Sequence, residues 1–286
     1  MASSTEPSLS GTALELVLKR DRLVVLASLA GLCLLAWIFL FNLAGQMATM
    51  QGMAARMMGM AVDDRIVHFL TLTMSPTSVG IANAGATFVL VAIMWLVMMV
   101  GMMLPSAAPT ILLFTALERK GNAGAPVARS AFFTAGYFLT WGVFSVVAAA
   151  LQTTLHGAGL LSMEMAATSA FLGGAIFILA GLFEFTPLKA RCLVHCRSPL
   201  EWLPRHWKSG TLGAIRMGAE HGLYCVGCCW MLMLTLFVGG VMNLLWVAII
   251  AAIVLIEKLL PRGEILSRLG GVALVLCGAC IAARAL

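Results

Sequence analysis

The sequence predicts an all-α protein, a polytopic bundle of about seven transmembrane helices with the N-terminus in the cytoplasm. Three observations carry this. Hydrophobic residues make up 61% of the 286 and charged residues only 10%, where a soluble domain carries about a quarter charged. The apolar residues fall in blocks of about 20, the length that crosses a bilayer core as a helix. With the N-terminus inside, every Lys and Arg except Arg56, Arg65 and Arg284 falls in a cytoplasmic segment, as the positive-inside rule requires. The net charge of +6 therefore reports topology, and no nucleic-acid-binding motif accompanies it. The expected location is the bacterial inner membrane, with the lipid bilayer as the main partner.

Residues 1–22 read as a cytoplasmic tail that turns basic at Lys19, Arg20 and Arg22. The apolar run from Leu23 to Leu43 is too long for a signal-peptide core, so it reads as an uncleaved first span. It opens a single membrane domain over 23–286. Residues 44–85 form a methionine-rich outer connection in which Met50, Met53, Met57 and Met60 are spaced for one helix face. The second span runs from Ala86 toward Leu117. A straight helix of that length would be about 48 Å long, more than a bilayer core, so a kink or break is expected at Pro105. Spans three (Val127–Leu151) and four (Thr168–Phe185) follow.

Residues 186–213 contain Cys192, His195, Cys196, Trp202 and Trp207. They read as a cytoplasmic loop lying along the lipid headgroups. Span five covers Leu212–Val238, and residues 239–243 make a tight turn. Span six ends at Glu257-Lys258, read as a terminal ion pair. Span seven carries Cys277 and Cys280 toward the C-terminus.

The chemistry concentrates in span five. In a helix, His221, Cys225, Cys228 and Cys229 fall at i, i+4, i+7 and i+8, one stripe on one face. They lie toward the cytoplasmic side, where thiols stay reduced. Cys192, His195 and Cys196 offer further ligands from the adjoining loop. Thiolate and imidazole suit copper(I) or zinc, and thioether suits copper(I). A single buried cysteine reads as a small hydrophobe, and Cys33, Cys277 and Cys280 are left as packing. Three cysteines and a histidine on one stripe favour a metal. Met50, Met53, Met57 and Met60 could capture the ion on the outer side or simply pack at the interface, whereas the five methionines of span two read as packing. Glu184 and Glu220 read either as interfacial residues paired with Lys189, Arg191 or Arg216, or as a relay or partners orienting His221.

Five motifs add a resemblance. They are Met-Trp-x-Val-Met-Met-x-x-Met-Met-Leu-Pro-Ser-Ala-Ala-Pro (94–109), Thr-Pro-Leu-Lys-x-x-Cys-Leu-x-x-Cys-Arg-Ser-Pro-Leu (186–200), His-Gly-x-Tyr-Cys-x-Gly-Cys-Cys-Trp (221–230), Gly-Val-Met-Asn-Leu-x-Trp (240–246) and Glu-Lys-x-x-Pro-x-Gly (257–263). Over about residues 86–283 the chain resembles a bacterial family of uncharacterised, predicted metal-binding integral membrane proteins. The resemblance implies the same fold and a metal-linked role. The family carries Tyr-Gln where this chain has Phe183-Glu184, so it implies no role for Glu184.

Three functions follow from these readings. The first is a membrane protein that binds a soft, copper-like metal for handling or transport. The second is a membrane metalloenzyme or redox protein using Cys225–Cys229. The third is a structural or assembly subunit with no bound metal. No hydrolase elbow, phosphate loop or dinucleotide fingerprint is present, which favours the first.

Overall fold

The computed structural model describes residues 9–59, 84–121, 126–161, 167–260 and 262–284. Among these the regular structure is entirely helical, and Leu161 and Ala167 make an isolated antiparallel bridge. The helices are α1 (Leu9–Gly59), α2 (Ala84–Lys120), α3 (Pro126–Gly157), α4 (Ala170–Phe183) and α5 (Pro187–Arg197). They continue with α6 (Pro199–Arg205), α7 (Gly210–Leu234), α8 (Leu236–Gly239), α9 (Leu244–Leu259) and α10 (Gly263–Ala283).

Among the described residues five helical segments are long and apolar enough to cross a membrane, and a sixth counts if α4 and α5, bent by 65°, form one span. The expected seven apolar segments are all helical, but two are short. The 14 residues of α4 and 16 of α9 reach only about 21 and 24 Å at 1.5 Å per residue. Both end beside the second half of α7. Phe183 at the end of α4 meets Trp230 edge-on, and Lys258 in the last turn of α9 reaches Cys225. Below that level α2, α3 and the first half of α7 continue, and α5 and α6 pack around them.

The expected break at Pro105 is absent. The helix α2 runs unbroken through Pro105 and Pro109. Proline removes the hydrogen bond to the carbonyl four residues earlier, and that carbonyl, on Gly101, accepts the Cys33 thiol at 3.6 Å. A neighbouring helix thus satisfies the group that Pro105 frees, as bundles at proline sites do.

The expected loop 186–213 is also helical. Thr186 accepts the Lys189 N–H at 3.3 Å and Pro187 takes the first helical position, a start signal that combines a side-chain cap with a preset φ. The Trp202 side chain is buried instead of lying on a surface, and Trp207 stacks on Phe114. The turn at 239–243 is as expected, with Gly240 at φ +90°, a conformation that favours glycine, and Asn243 capping α9.

Small residues set the tightest packing. A Cβ on Gly136 would run into the Ile215 carbonyl, and one on Gly218 into the Phe133 carbonyl, so α3 and α7 touch backbone to backbone. Gly174 and Gly181 play the same part against Gly278 and Gly271 between α4 and α10, as small-residue stripes do in helix pairs. The core they enclose holds Trp95, Trp141, Tyr137 and Met94, Met98, Met99, Met102 and Met103, so the span-two methionines are packing. Met50, Met53 and Met57 fall on the last turns of α1, with side chains outside the described part, and Met60 lies outside the described residues.

Two buried hydrogen bonds tie α2 to α3: the Thr115 and Ser130 hydroxyls meet at 2.7 Å, and Trp95 Nε1 donates to Gln152 Oε1 at 2.6 Å. Gln152→Leu strands that indole N–H and is expected to cost about 1–3 kcal/mol. The cost appears as a lower melting midpoint in detergent micelles, partly restored by adding Trp95→Phe. An unchanged midpoint for Gln152→Leu would remove the assigned weight of this bond.

Candidate metal centre

The stripe on α7 is buried as the helical spacing predicts. His221, Cys225, Cys228 and Cys229 all face inward. What each meets differs. Cys225 Sγ accepts from Lys258 Nζ at 2.9 Å and lies 2.9 Å from the Tyr137 hydroxyl. The Cys228 and Cys229 thiols both donate back to the Cys225 carbonyl, at 3.1 and 2.9 Å. Across the groove, Cys196 Sγ on α5 stands 4.0 Å from Cys228 Sγ. All eight cysteines are free thiols.

The close seating of α5 on α7 explains that pair. A Cβ on Gly227 would fall 2.7 Å from Cys192 Sγ, so a larger residue there would push the Cys192 side chain aside. One turn further along α5, Cys196 then comes opposite Cys228. At a metal–sulfur bond of about 2.3 Å, two sulfurs on opposite sides of one ion stand about 4.6 Å apart, and closer when bent. The 4.0 Å gap is of the size one ion spans.

The full expected ligand set does not converge. Among the described residues no group of three or more His, Cys, Asp or Glu side chains is arranged to hold a metal ion. His221 and Cys228 are seven residues apart on one helix, about 10.5 Å along its axis at 1.5 Å per residue, which is too far for one ion. His221 packs among Phe133, Tyr137 and Trp202, and its Nδ1 is buried with no hydrogen-bond partner among the described residues. His195 turns away from the thiols. Its ring stacks on Tyr224 with centroids 4.3 Å apart, and its Nδ1 lies 2.8 Å from the Arg191 carbonyl. A carbonyl only accepts, so Nδ1 is the donor in this contact.

The two glutamates part company. Glu220 pairs with Lys208 and, at 3.7 Å, with Arg216 near the surface, which is the interfacial role. Glu184 is buried. Its carboxylate takes Lys189 Nζ and the Ser267 hydroxyl on one oxygen, and the other oxygen has no partner among the described residues. Lys189, only 1% exposed, also donates to Glu257 at 3.0 Å.

Glu257 and Lys258 are therefore not a terminal ion pair. Successive helix residues diverge by about 100°. Glu257 turns to Lys189, and Lys258 turns to Cys225 and to the Ser106 hydroxyl at 3.2 Å. The expected pairing of Glu184 with Lys189 is present, though buried, whereas sequence reasoning missed Tyr137, Ser106 and Lys258 as members of this centre. The Glu-Lys dipeptide that closes an apolar helix was the available signal for Lys258.

The arrangement places a two-thiol pair beside a third thiol held by an ammonium and a phenol. Thiolate pairs select soft ions such as Cu(I). A model of the PpoB2 family, described as a copper chaperone, matches residues 92–281. That range takes in Cys192, Cys196, Tyr137, the α7 stripe, Glu257 and Lys258. No curated protein and no solved structure matches the chain.

Proposed function

The chain belongs to the PpoB2 copper chaperone family, and on that premise we propose that it is a membrane-embedded carrier that holds Cu(I) between Cys196 and Cys228. The observation that carries the site is the 4.0 Å separation of those two sulfurs across α5 and α7. Two sulfur donors suit Cu(I). A closed structural zinc site takes four ligands, and among the described residues no group of three or more His, Cys, Asp or Glu side chains is arranged to hold an ion. Binding requires both thiols to ionise, so a Cu(I) ion with two thiolates carries one net negative charge. Lys258, buried one contact away on Cys225, supplies the matching positive charge in a place where an unpaired ion would be costly.

Large apolar side chains support the bilayer setting. Leu23, Leu34, Leu35, Leu139, Val143, Leu245, Leu269 and Leu276 are all exposed on the outside of the bundle, a pattern that lipid satisfies and water does not. The basic residues Arg119, Arg129, Lys189, Arg197, Lys208 and Arg262 lie toward the end of the bundle where α2 gives way to α3 and where α7 and α10 begin. With the N-terminus cytoplasmic, that end faces the cytoplasm of a bacterial inner membrane, and the carrier loads from a reducing compartment.

The test is titration of anaerobically purified protein in detergent with Cu(I) against a chromogenic bidentate chelator. One tightly held Cu(I) per chain is expected, absent from a Cys196→Ser/Cys228→Ser variant and retained by Cys33→Ser and Cys277→Ser. Equal binding by the parent and the double variant would reject the site. Release of the chain from membranes by alkaline carbonate would reject the embedding.

A further inference from the structure

The two sulfurs that face each other across α5 and α7 are also placed to react with each other. Cys196 Sγ and Cys228 Sγ stand 4.0 Å apart, and both are free thiols. A disulfide bond is about 2.05 Å long, so closing the gap takes about 2 Å of sulfur movement. The neighbouring thiols are seated differently. Cys225 Sγ is held by the Lys258 ammonium and the Tyr137 hydroxyl, each at 2.9 Å. The Cys229 thiol is turned to the Cys225 carbonyl. Cys192, one turn before Cys196 on α5, has its sulfur against Gly227. Cys196 is 8% exposed and Cys228 2%, so a small reagent meets Cys196 first and Cys228 stands behind it.

Resting on the Cu(I) reading above for its consequence, we infer that Cys196 and Cys228 form a reversible disulfide with each other, which small-molecule disulfides make and which closes the copper site. The exchange has two steps. The Cys196 thiolate attacks one sulfur of the small disulfide. A bond forms between Cys196 and that sulfur, the small disulfide's S–S bond breaks, and one small thiolate leaves. The Cys228 thiolate then attacks the Cys196 sulfur of the mixed disulfide and expels the second small thiolate. The protons of the two protein thiols end on the two small thiols. The protein pair is oxidised by two electrons and the small disulfide is reduced by two. Once bonded, neither sulfur can ionise to the thiolate that a soft ion needs. An ion already held between the two sulfurs blocks the exchange, so copper and oxidant compete for one pair. Small thiols run both steps backwards, so a reducing compartment reopens the site.

The experiment incubates the anaerobically purified, copper-free protein in detergent with excess glutathione disulfide. The remaining thiols are then capped with N-ethylmaleimide, and the linked peptides are mapped by mass spectrometry. A Cys196–Cys228 cross-link is expected in the parent and in Cys229→Ser. Cys228→Ser should instead keep glutathione on Cys196, because the thiol that resolves the mixed disulfide is gone. The cross-linked parent should lose its tight Cu(I) site in chelator competition and regain it after dithiothreitol. Loading with Cu(I) beforehand should slow the cross-link. No cross-link, a link from Cys196 to any other cysteine, or glutathione left on Cys196 of the parent overturns the inference. Tight Cu(I) binding by the reduced protein would in that event leave the carrier reading standing. A Cys196–Cys228 cross-link in a protein whose reduced form binds no Cu(I) upholds the disulfide and overturns the carrier reading. Undiminished Cu(I) binding by the cross-linked protein overturns both the closure and the assignment of copper to these two sulfurs.

Discussion

Serine at position 228 is expected to weaken Cu(I) binding by about two orders of magnitude or more. Loss of a residue that merely orients a metal ligand costs about 10–100-fold, and Cys228 is read as a ligand itself. A hydroxyl is a hard donor with little affinity for a soft ion. The swap should spare the fold, because a serine hydroxyl can make the same donation to the Cys225 carbonyl that the Cys228 thiol makes at 3.1 Å. Cys229→Ser is the matched comparison. Its thiol donates to the same carbonyl at 2.9 Å, yet no sulfur from α5 stands opposite it. Its affinity should stay within about threefold of the parent, well under the 1.4 kcal/mol that marks a tenfold change. Competition with a Cu(I) chelator measures both, and the melting midpoint of each variant checks folding. Equal losses at 228 and 229 would show that the cross-helix pair has no special part.

The sequence carried the inward stripe of α7 because helical period is a one-dimensional property. His221, Cys225, Cys228 and Cys229 could be placed on one face by counting. Which neighbour each would meet depends on how far α5 leans onto α7, and that rests on Gly227 accommodating Cys192. No local pattern states such a contact. The helix α5 itself was foreshadowed by Thr186-Pro187, but its polar composition drew the reading toward a loop. At Glu257-Lys258, adjacency suggested a pair, whereas helix geometry aims the two side chains at different partners. Pro105 was read from its local effect, and a thiol 68 residues away in sequence, on Cys33, supplied the missing partner. In each case chain-local physics was legible, and the misses arose where a second helix decided the outcome.

Lys189→Met should be the most damaging single change to stability. The ammonium sits between Glu184 and Glu257 with almost no exposure. Methionine fills a similar volume and removes the only cation that either carboxylate meets among the described residues. Breaking a buried ion pair from one side costs about 3–5 kcal/mol, because the remaining charge has neither water nor partner, and here two carboxylates are stranded together. The drop should appear as a lower melting midpoint in detergent, followed by tryptophan fluorescence. Adding Glu184→Gln and Glu257→Gln to Lys189→Met should recover much of it, since the stranded charge is then gone. Failure of that triple variant to recover would mean that Lys189 acts by packing instead of by charge. The same side chain ties the first turn of α5 to the ends of α4 and α9, one helix turn before Cys192 and two before Cys196. Lys189→Met should therefore also loosen the 4.0 Å sulfur pair and lower Cu(I) affinity, while the neutral triple variant regains fold before it regains copper. A stability network that sets the spacing of the thiols makes copper binding and the packing of α5 one linked equilibrium, and Cu(I) should raise the melting midpoint of the parent by mass action.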